Sequence, residues 1–368
     1  MHVMESPPGA TAVIDGREVD YFCGCGYFCL HGHPEIIDAA CKAVRQFGMG
    51  SATSRSGYGD NPVLLEVERN AAKFFATESA LYYVSGYLGN TILLQGLRDS
   101  YDVIFYDNES HYSVLDGIAL ADKPAIAFAH RDANDLTRQV ARHLKPTQRP
   151  LLISDGVFPI SGEIPPIPDY VDVFEQYDGS TICVDDAHAT GVIGEMGRGC
   201  FEYLGASGTR LFSSGTLSKA LGGHGGIIPG SADLIERLKS RSKIPFASSS
   251  PPTPAAAASA RALEILQETP VLRKKLWDNT LYAKSRFRAL GFDVNDTPVP
   301  IICLAGTDAD LKTLPDRLLD KDIAISRFYS GGDAYSSVPE GGAVRIAIFS
   351  SHTKQQIDRL VEEIARIV

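Results

Sequence analysis

The chain has 368 residues, which exceeds one ordinary domain and predicts a large domain with a smaller one. Its composition, 44% hydrophobic and 22% charged, is that of a folded rather than a disordered protein. The formal net charge of -10 argues against a broad nucleic-acid-binding surface. The start lacks the pattern of a signal peptide and no apolar run could span a bilayer, so we expect no membrane span and a cytoplasmic location.

Short apolar segments alternate with helical patterns through the middle of the chain. This alternation predicts an α/β fold with a mostly parallel sheet that helices cover on both faces. The predicted strands are 102–106, 125–128, 150–154, 181–184 and 210–213, and helices are predicted between them, for instance at 134–144 and 168–177.

The pattern changes after about residue 265 and predicts a smaller α+β domain at the C-terminus. Two helices are expected at 254–267 and 270–290, strands at 299–304, 323–326 and 344–349, and a closing helix from Thr353. We therefore predict a large domain at 41–265 and a small domain at 266–368. Residues 1–40 are expected to pack on the small domain or on a partner subunit.

Seven cysteines in a chain without a secretory signal indicate reduced thiols. Three of them, Cys23, Cys25 and Cys29, lie close to His31 and His33. Their spacing is not that of a standard structural zinc site, and aromatic residues alternate with them. We interpret the segment as a packed N-terminal stretch and predict no metal.

Lys219 lies between a predicted strand and a glycine-rich loop, among small hydroxyl residues that include Thr216 and Ser218. A lysine in such surroundings can form a Schiff base when its pKa is lowered, and pyridoxal phosphate (PLP) is the cofactor that most often uses this chemistry. The hydroxyl groups of Thr216 and Ser218 would then reach the phosphate. A solvated surface lysine is the alternative for a lysine considered alone.

Asp185 supports the cofactor interpretation because it falls at the carboxyl end of a predicted buried strand, with His188 just after it. Ligands of open α/β sheets bind at the carboxyl ends of the strands. A carboxylate there can keep a pyridine nitrogen protonated, which lets the ring accept electrons. A turn or a helix cap is the alternative for a single Asp.

Three further segments fit the same site. Ser85 and Gly86 mark a turn from a strand into an apparent helix, whose first backbone amides are ready donors for a phosphate. An ordinary helix N-cap at Ser85 is an equally good interpretation of that segment alone. His111 follows a strand and could stack on a flat ring. The glycines Gly156 and Gly162, again after a strand, allow a ligand to approach closely.

From about Tyr27 to the C-terminus the chain resembles the α-oxoamine synthases, a branch of the fold-type I PLP enzymes. The most specific segments are 184–194 with 197–199, and 215–220; weaker support comes from 85–87, 111–117, 344–346 and 351–353. The resemblance implies an aspartate-aminotransferase-like fold and a homodimer with a shared active site.

The resemblance also implies a role for each matching residue. Lys219 would form the Schiff base and move protons at the substrate α-carbon, Asp185 would pair with the pyridine nitrogen, and His188 would hydrogen-bond the phenolic oxygen of the cofactor. His111 would stack over the ring. The remaining matches would bind the phosphate (Ser85, Gly86, Tyr87 and Thr216, with Ser248 reaching it from the other subunit) and the substrate carboxylate (Arg345).

The implied reaction joins an α-amino acid to an acyl thioester, commonly acyl-CoA, with loss of CO2 and formation of an α-amino ketone. The sequence leaves open whether the acyl carrier is coenzyme A or a carrier protein. Two residues depart from the family pattern at contacts to the substrate or the ring. Cys25 stands where an Asn commonly helps to bind the substrate carboxylate, and Pro159 stands where a Ser commonly bonds the phenolic oxygen. The nearby Ser161 is a candidate to replace that hydroxyl.

Two other hypotheses remain open from the sequence. One is a different PLP reaction on the same scaffold, most plausibly transamination by an aminotransferase. The other is a non-catalytic partner subunit, and the presence of Lys219 argues against it.

Overall fold

The fold is described from a computed structural model that covers residues 2–208, 210–305, 309–329, 338–339 and 341–368. Its strands are β1 Thr11–Ile14, β2 Arg17–Phe22, β3 Ser79–Tyr83, β4 Val103–Asp107, β5 Ala125–Phe128, β6 Pro150–Asp155, β7 Thr181–Asp185, β8 Leu211–Thr216, β9 Gly226–Gly230, β10 Ile301–Ala305, β11 Ile323–Phe328 and β12 Ala343–Ala347. Its α-helices are α1 Pro34–Phe47, α2 Pro62–Phe75, α3 Gly89–Gly96, α4 Tyr112–Ala121, α5 Ala133–His143, α6 Ile167–Phe174, α7 Cys200–Leu204, α8 Ala232–Arg241, α9 Lys243–Ala247, α10 Thr253–Glu268, α11 Val271–Ala289, α12 Ala309–Leu319 and α13 Lys354–Ile367.

The chain divides into two compact units. The large unit comprises Pro34–Val157 and Ile164–Glu268. The small unit comprises Met1–His33, Phe158–Glu163 and Thr269–Val368. The short excursion at Phe158–Glu163 has no signal in the sequence pattern. The boundaries predicted after residues 40 and 265 stay a prediction of the domain organisation.

A seven-stranded sheet forms the centre of the large unit, in the order β3-β9-β8-β7-β6-β4-β5. The five strands from β8 to β5 run parallel, and β9 and β3 pair antiparallel at the other edge. All residues of β6 and β7 are buried, as expected for strands covered on both faces. The predicted α/β class with a mostly parallel sheet is confirmed.

The apolar residues of α3 and α8 pack on one face of this sheet. Ile92, Leu93 and Leu94 of α3 and Leu238 of α8 are fully buried in a single cluster with sheet residues such as Ile153. A Cβ on Gly96 of α3 would lie 2.3 Å from Leu238 Cδ2, so glycine allows the two helices to pack closely.

A five-stranded sheet forms the centre of the small unit, in the order β1-β2-β11-β12-β10. The N-terminal hairpin β1–β2 joins it through the parallel pair of β2 and β11. Strand β12, which lies between β11 and β10, is buried throughout and carries Arg345 among apolar neighbours. The core beneath the sheet includes Phe22 of β2, Leu314 of α12 and Leu360 of α13.

The buried side chain of Lys284 in the small unit is hydrogen-bonded. The amine of Lys284 on α11 donates to Asn295 Oδ1 at 2.7 Å and to the carbonyl of Thr297 at 2.9 Å. Burial lowers the pKa of Lys284 to about 7. These bonds fix the segment that leads from α11 into β10.

Among the described helices, none combines the length and the apolar character that a membrane crossing requires.

The closing helix α13 begins at a capping box. Thr353 Oγ1 accepts from the backbone N–H of Gln356 at 3.2 Å, and Gln356 Oε1 accepts from the N–H of Thr353 at 3.0 Å. We expect Thr353→Ala to lower the unfolding free energy by about 1 kcal/mol, because a backbone donor loses its acceptor. The measurement is the urea midpoint, with Thr353→Ser as the control that keeps the hydroxyl. Equal midpoints for the two variants would show that the cap does not stabilise the protein.

Candidate active site

Lys219 and His188 meet at the carboxyl edge of the large sheet. Lys219 lies in the loop after β8, and His188 follows β7, the parallel neighbour of β8. Lys219 Nζ is 2.8 Å from His188 Nε2, and His188 is buried. A hydrogen bond between these nitrogens requires one of them to offer a lone pair. The hydrogen bond therefore joins an N–H of one side chain to a nitrogen lone pair of the other.

Asp185, the last residue of β7, is buried and surrounded by donors. Its Oδ2 accepts from Asn90 Nδ2 at 2.6 Å and from Ser113 Oγ at 3.0 Å, and its Oδ1 accepts from the N–H of Ala187 at 3.0 Å. These three bonds fix the orientation of the carboxylate. Asn90 and Ser113 were not predicted to have a role, although a polar Asn90 within the apolar buried helix α3 was a usable signal.

His111 is the N-cap of α4 and is fixed from both sides. Its Nδ1 accepts from the N–H of Ser113 at 3.1 Å, and its own N–H donates to Asp155 Oδ2 at 2.8 Å. Its ring meets that of Tyr87 edge-on, with 6.0 Å between the centroids. Burial lowers the pKa of His111, while the charge of Asp185 opposes that shift.

Asp155 ends β6, beside β7, and is a second buried carboxyl at this edge. Burial and the nearby charge of Asp185 raise the pKa of Asp155 well above its usual range. The sequence pointed to the glycines after β6 and gave Asp155 no predicted role. Asp155 acts there through the backbone of His111 and is a positioning residue of the site.

Gly86 and Thr216 lie in direct contact. Gly86 begins a single helical turn, Gly86–Leu88, that follows Ser85 and leads into α3. A Cβ on Gly86 would lie 2.6 Å from Thr216 Oγ1, so only glycine permits this approach. Thr216 Oγ1 is also 2.8 Å from Ser218 Oγ. Backbone amides at a helix start and two hydroxyl groups therefore gather at one place, a donor set that suits a phosphate.

Two further residues predicted to serve the phosphate, Tyr87 and Ser248, lie at the surface of the large unit or near it. Tyr87 is 44% exposed and its hydroxyl donates to Asp116 Oδ2 at 2.5 Å. Ser248 is the C-cap of α9, where its N–H donates to the carbonyl of Ile244. Both roles stay predictions.

Arg345 is the centre of a second cluster, which lies within the small unit. Its guanidinium is buried and donates to the carbonyls of Pro159 at 2.7 Å and Gly24 at 2.9 Å. It also donates to the hydroxyl of Tyr27 at 3.1 Å and contacts the sulfur of Cys25 at 3.6 Å. The fork of Arg345 is thus held in one orientation by four groups.

Both departures from the family pattern contact this arginine. Pro159 lacks a side-chain hydroxyl and an N–H, but its carbonyl accepts the Nε hydrogen of Arg345. Cys25 offers a sulfur, which is a weak acceptor, to the same side chain. Ser161 Oγ accepts from the N–H of Glu163 at 3.2 Å within the same turn, and its suggested role as a replacement hydroxyl stays a hypothesis.

In the described ranges, no group of three His, Cys, Asp or Glu side chains is arranged to hold a metal ion. All seven cysteines are free thiols, and burial raises the pKa of Cys23 to about 11.

The cap at His111 should be sensitive to pH. In the folded protein the pKa of His111 lies below 6.5, so folding becomes less favourable as pH falls from 6.5 to that lowered value and the ring takes up a proton. His111→Asn keeps an N-cap acceptor that does not titrate. We expect the wild-type protein to lose stability relative to this variant as the pH falls below 6.5, as measured by thermal unfolding. Parallel curves for the two proteins would contradict this.

Known proteins resemble the chain over almost its whole length. Residues 26–364 match the family described as aminotransferase class I and II. A protein of Thermosipho melanesiensis named 8-amino-7-oxononanoate synthase is 35% identical over 369 residues, with 100% of this chain and 93% of that protein covered. A protein of Bacillus subtilis named 8-amino-7-oxononanoate synthase 1 is 33% identical, with 99% and 91% covered.

A solved structure also resembles the chain over its whole length. The serine palmitoyltransferase of Sphingomonas wittichii has a TM-score of 0.91 and 27% identity, with 100% of this chain and 91% of that chain covered. The resemblance to α-oxoamine synthases drawn from the sequence is thereby confirmed, and the fold-type I architecture with it. This chain belongs to the aminotransferase class I and II family, in its α-oxoamine synthase branch.

Proposed function

We propose that this chain is a PLP-dependent C-acyltransferase that condenses an α-amino acid with an acyl thioester and releases CO2. The product is an α-amino ketone. The observation that carries the proposal is the meeting of the Lys219 amine, the His188 imidazole and a fixed Asp185 at one edge of the large sheet. Relatives named as synthases and a serine palmitoyltransferase support the acyl-transfer reaction over transamination.

The residues of the large unit fit PLP. Lys219 offers an amine, Asp185 a buried carboxylate, and the contact of Gly86 with Thr216 gathers donors for a phosphate. When bound, PLP supplies an aldehyde that condenses with amines and a ring that accepts the electron pair released at the α-carbon. PLP, the cofactor predicted from the sequence, therefore fits the residues of this site.

Lys219 is the group that we assign to proton transfer. Its amine must lose a proton before it can act as a base at the α-carbon of the amino acid. The neighbouring His188 nitrogen at 2.8 Å gives that proton a place to go. His188 thereby positions the amine and keeps it available in its neutral form.

Asp185 and His111 would hold the pyridine ring of PLP. Asn90 and Ser113 hold the Asp185 carboxylate where it can keep a pyridine nitrogen protonated. The neutral His111 ring, fixed as the cap of α4, presents a face for stacking.

Arg345 is the proposed clamp for the amino-acid carboxylate, since its planar fork suits carboxylate oxygens. The long contact to Cys25 is the weakest of its four, so a carboxylate oxygen can replace that sulfur. Holding the carboxylate fixes which α-bond is broken.

The atoms of the reaction balance without a redox partner. The α-carbon gives its proton to Lys219 and its electron pair forms a bond to the thioester carbonyl carbon. The carbon–sulfur bond breaks and the thiol leaves with a proton. The bond to the carboxylate then breaks, CO2 departs, and a proton replaces it.

We propose a homodimer in which Ser248 of one subunit serves the phosphate of the other. Coenzyme A and an acyl carrier protein are both suitable carriers of the acyl group. The expected location is the cytoplasm.

An amino-acid panel tested with acyl thioesters examines the reaction directly. We expect free thiol and CO2 to appear in equal amounts, and only when both substrates are present. Lys219→Ala should lower the rate by at least about a thousandfold, since the base and the cofactor attachment are both lost. Lys274→Ala, which removes an exposed lysine of α11, is the matched control. Oxo-acid formation from the amino acid alone, without thiol release, would instead establish transamination.

Cys25→Asn tests the substrate clamp. The new amide adds a donor beside Arg345, and a hydrogen bond to a charged group contributes about 1.5–3 kcal/mol. We expect the KM for the amino acid to fall roughly tenfold with a smaller change in kcat. Cys41→Asn, at an exposed cysteine of α1, is the control. An unchanged KM in Cys25→Asn would remove this residue from the substrate site.

A further inference from the structure

A cavity of about 440 Å³ lies inside the small unit, between the hairpin β1–β2, strand β11 and helix α12. Its volume is within the range of small-molecule sites. The proposed function assigns nothing to it. Its lining comes from both ends of the chain, which the pairing of β2 with β11 brings together.

The cavity has an apolar interior and positive side chains in its lining. Ile14, Leu319, Ala324 and Ile325 supply apolar wall, and Lys312 and Arg327 supply cations. One carboxylate, Asp316, belongs to the described lining, so the cations outnumber it. This combination suits a ligand with a hydrocarbon part and an anionic part.

Arg327 is held in place rather than free in solvent. Its Nη1 donates to the carbonyl of Lys312, and its guanidinium lies 4.2 Å from the ring centre of Tyr329. Tyr329 is 67% exposed. A cation fixed beside an exposed aromatic ring forms a defined side of the cavity.

The cavity lining and the Arg345 cluster use adjoining residues of the chain. Cys23 lines the cavity, and the next residues of the chain, Gly24 and Cys25, contact Arg345. The Cys23 thiol is also hydrogen-bonded to Ser326, the strand partner of Arg345 across β11 and β12. Cys23 thus links the cavity lining to the proposed amino-acid clamp, both through the chain to Gly24 and through its bond to the strand partner of Arg345.

We propose that this cavity binds the acyl chain of the thioester substrate. This inference rests on the proposed function, because a two-substrate condensation requires the acyl group close to the amino acid. The hydrocarbon part of the chain lies against Ile14, Leu319, Ala324 and Ile325. Lys312 and Arg327 attract an anionic group, either at the far end of the chain or on the carrier.

Binding of unreactive S-alkyl thioethers of coenzyme A to the cofactor-loaded protein tests the site. In the wild-type protein, each added methylene should tighten the Kd roughly fourfold until the cavity is full. Ala324→Phe places a large side chain in the cavity. In this variant the fall in Kd with each added methylene should end at a shorter alkyl chain than in the wild-type protein. Ala305→Phe, at an exposed alanine of β10 in the same sheet, is the control and should keep the wild-type series.

A second comparison does not depend on how Ala324→Phe folds. Chains of equal length, with and without a terminal carboxylate, are compared in wild-type protein and in Arg327→Gln. If Arg327→Gln lowers the affinity roughly tenfold only for the carboxylate-ended chain, the anionic group bound by Arg327 is on the acyl chain. The affinity falls because one charged hydrogen bond is removed. If the affinity falls equally for both chains, the anionic group is on the carrier. The same alkyl chains attached to phosphopantetheine and to a carrier protein then identify the part of the carrier that Arg327 contacts.

The inference is overturned if Ala324→Phe is folded and shows the wild-type chain-length series. It is also overturned if Arg327→Gln weakens no ligand. The proposed function fails separately, when the wild-type enzyme releases no thiol and CO2 with any chain length.

Discussion

The parallel pairing of β6, β7 and β8 is the constraint on which the site of the large unit depends. Parallel neighbours end at the same edge of a sheet, so Asp155, Asp185 and Thr216 finish their strands together. Each following loop then carries a functional group to that edge. A shift of one residue in the register would turn these side chains to the other face of the sheet.

Each unit contains buried charges whose desolvation must be offset by hydrogen bonds. Asp185 receives three hydrogen bonds, and Arg345 in the small unit donates to three oxygens and contacts a sulfur. Asp155 and Asp186 have raised pKa values because burial penalises their charged forms. Polar networks of this kind fix one arrangement of side chains, since a partner left unpaired in the interior is costly.

The two unusual residues show how a site keeps its geometry when side chains change. Pro159 contributes through its carbonyl, which any residue possesses, so the loss of a hydroxyl leaves the bond to Arg345 intact. Cys25 changes the chemistry more, because a thiol accepts weakly and an amide donates strongly. The arginine is thus retained while the groups around it alter what it can hold.

The sequence by itself was sufficient to predict the α/β class, the five parallel strands of the large sheet, and Lys219 with Asp185 as the central pair of the candidate site. These features are local, because apolar periodicity marks buried strands and polar residues mark strand ends. Only the tertiary structure decided the supports that come from distant segments. Asn90 and Ser113 reach Asp185 across 95 and 72 positions of the chain, and Pro159 reaches Arg345 across 186. The same holds for the cavity between the N-terminal hairpin, β11 and α12. A periodic pattern records which face of an element is buried, whereas the partners across that face depend on how distant elements pack.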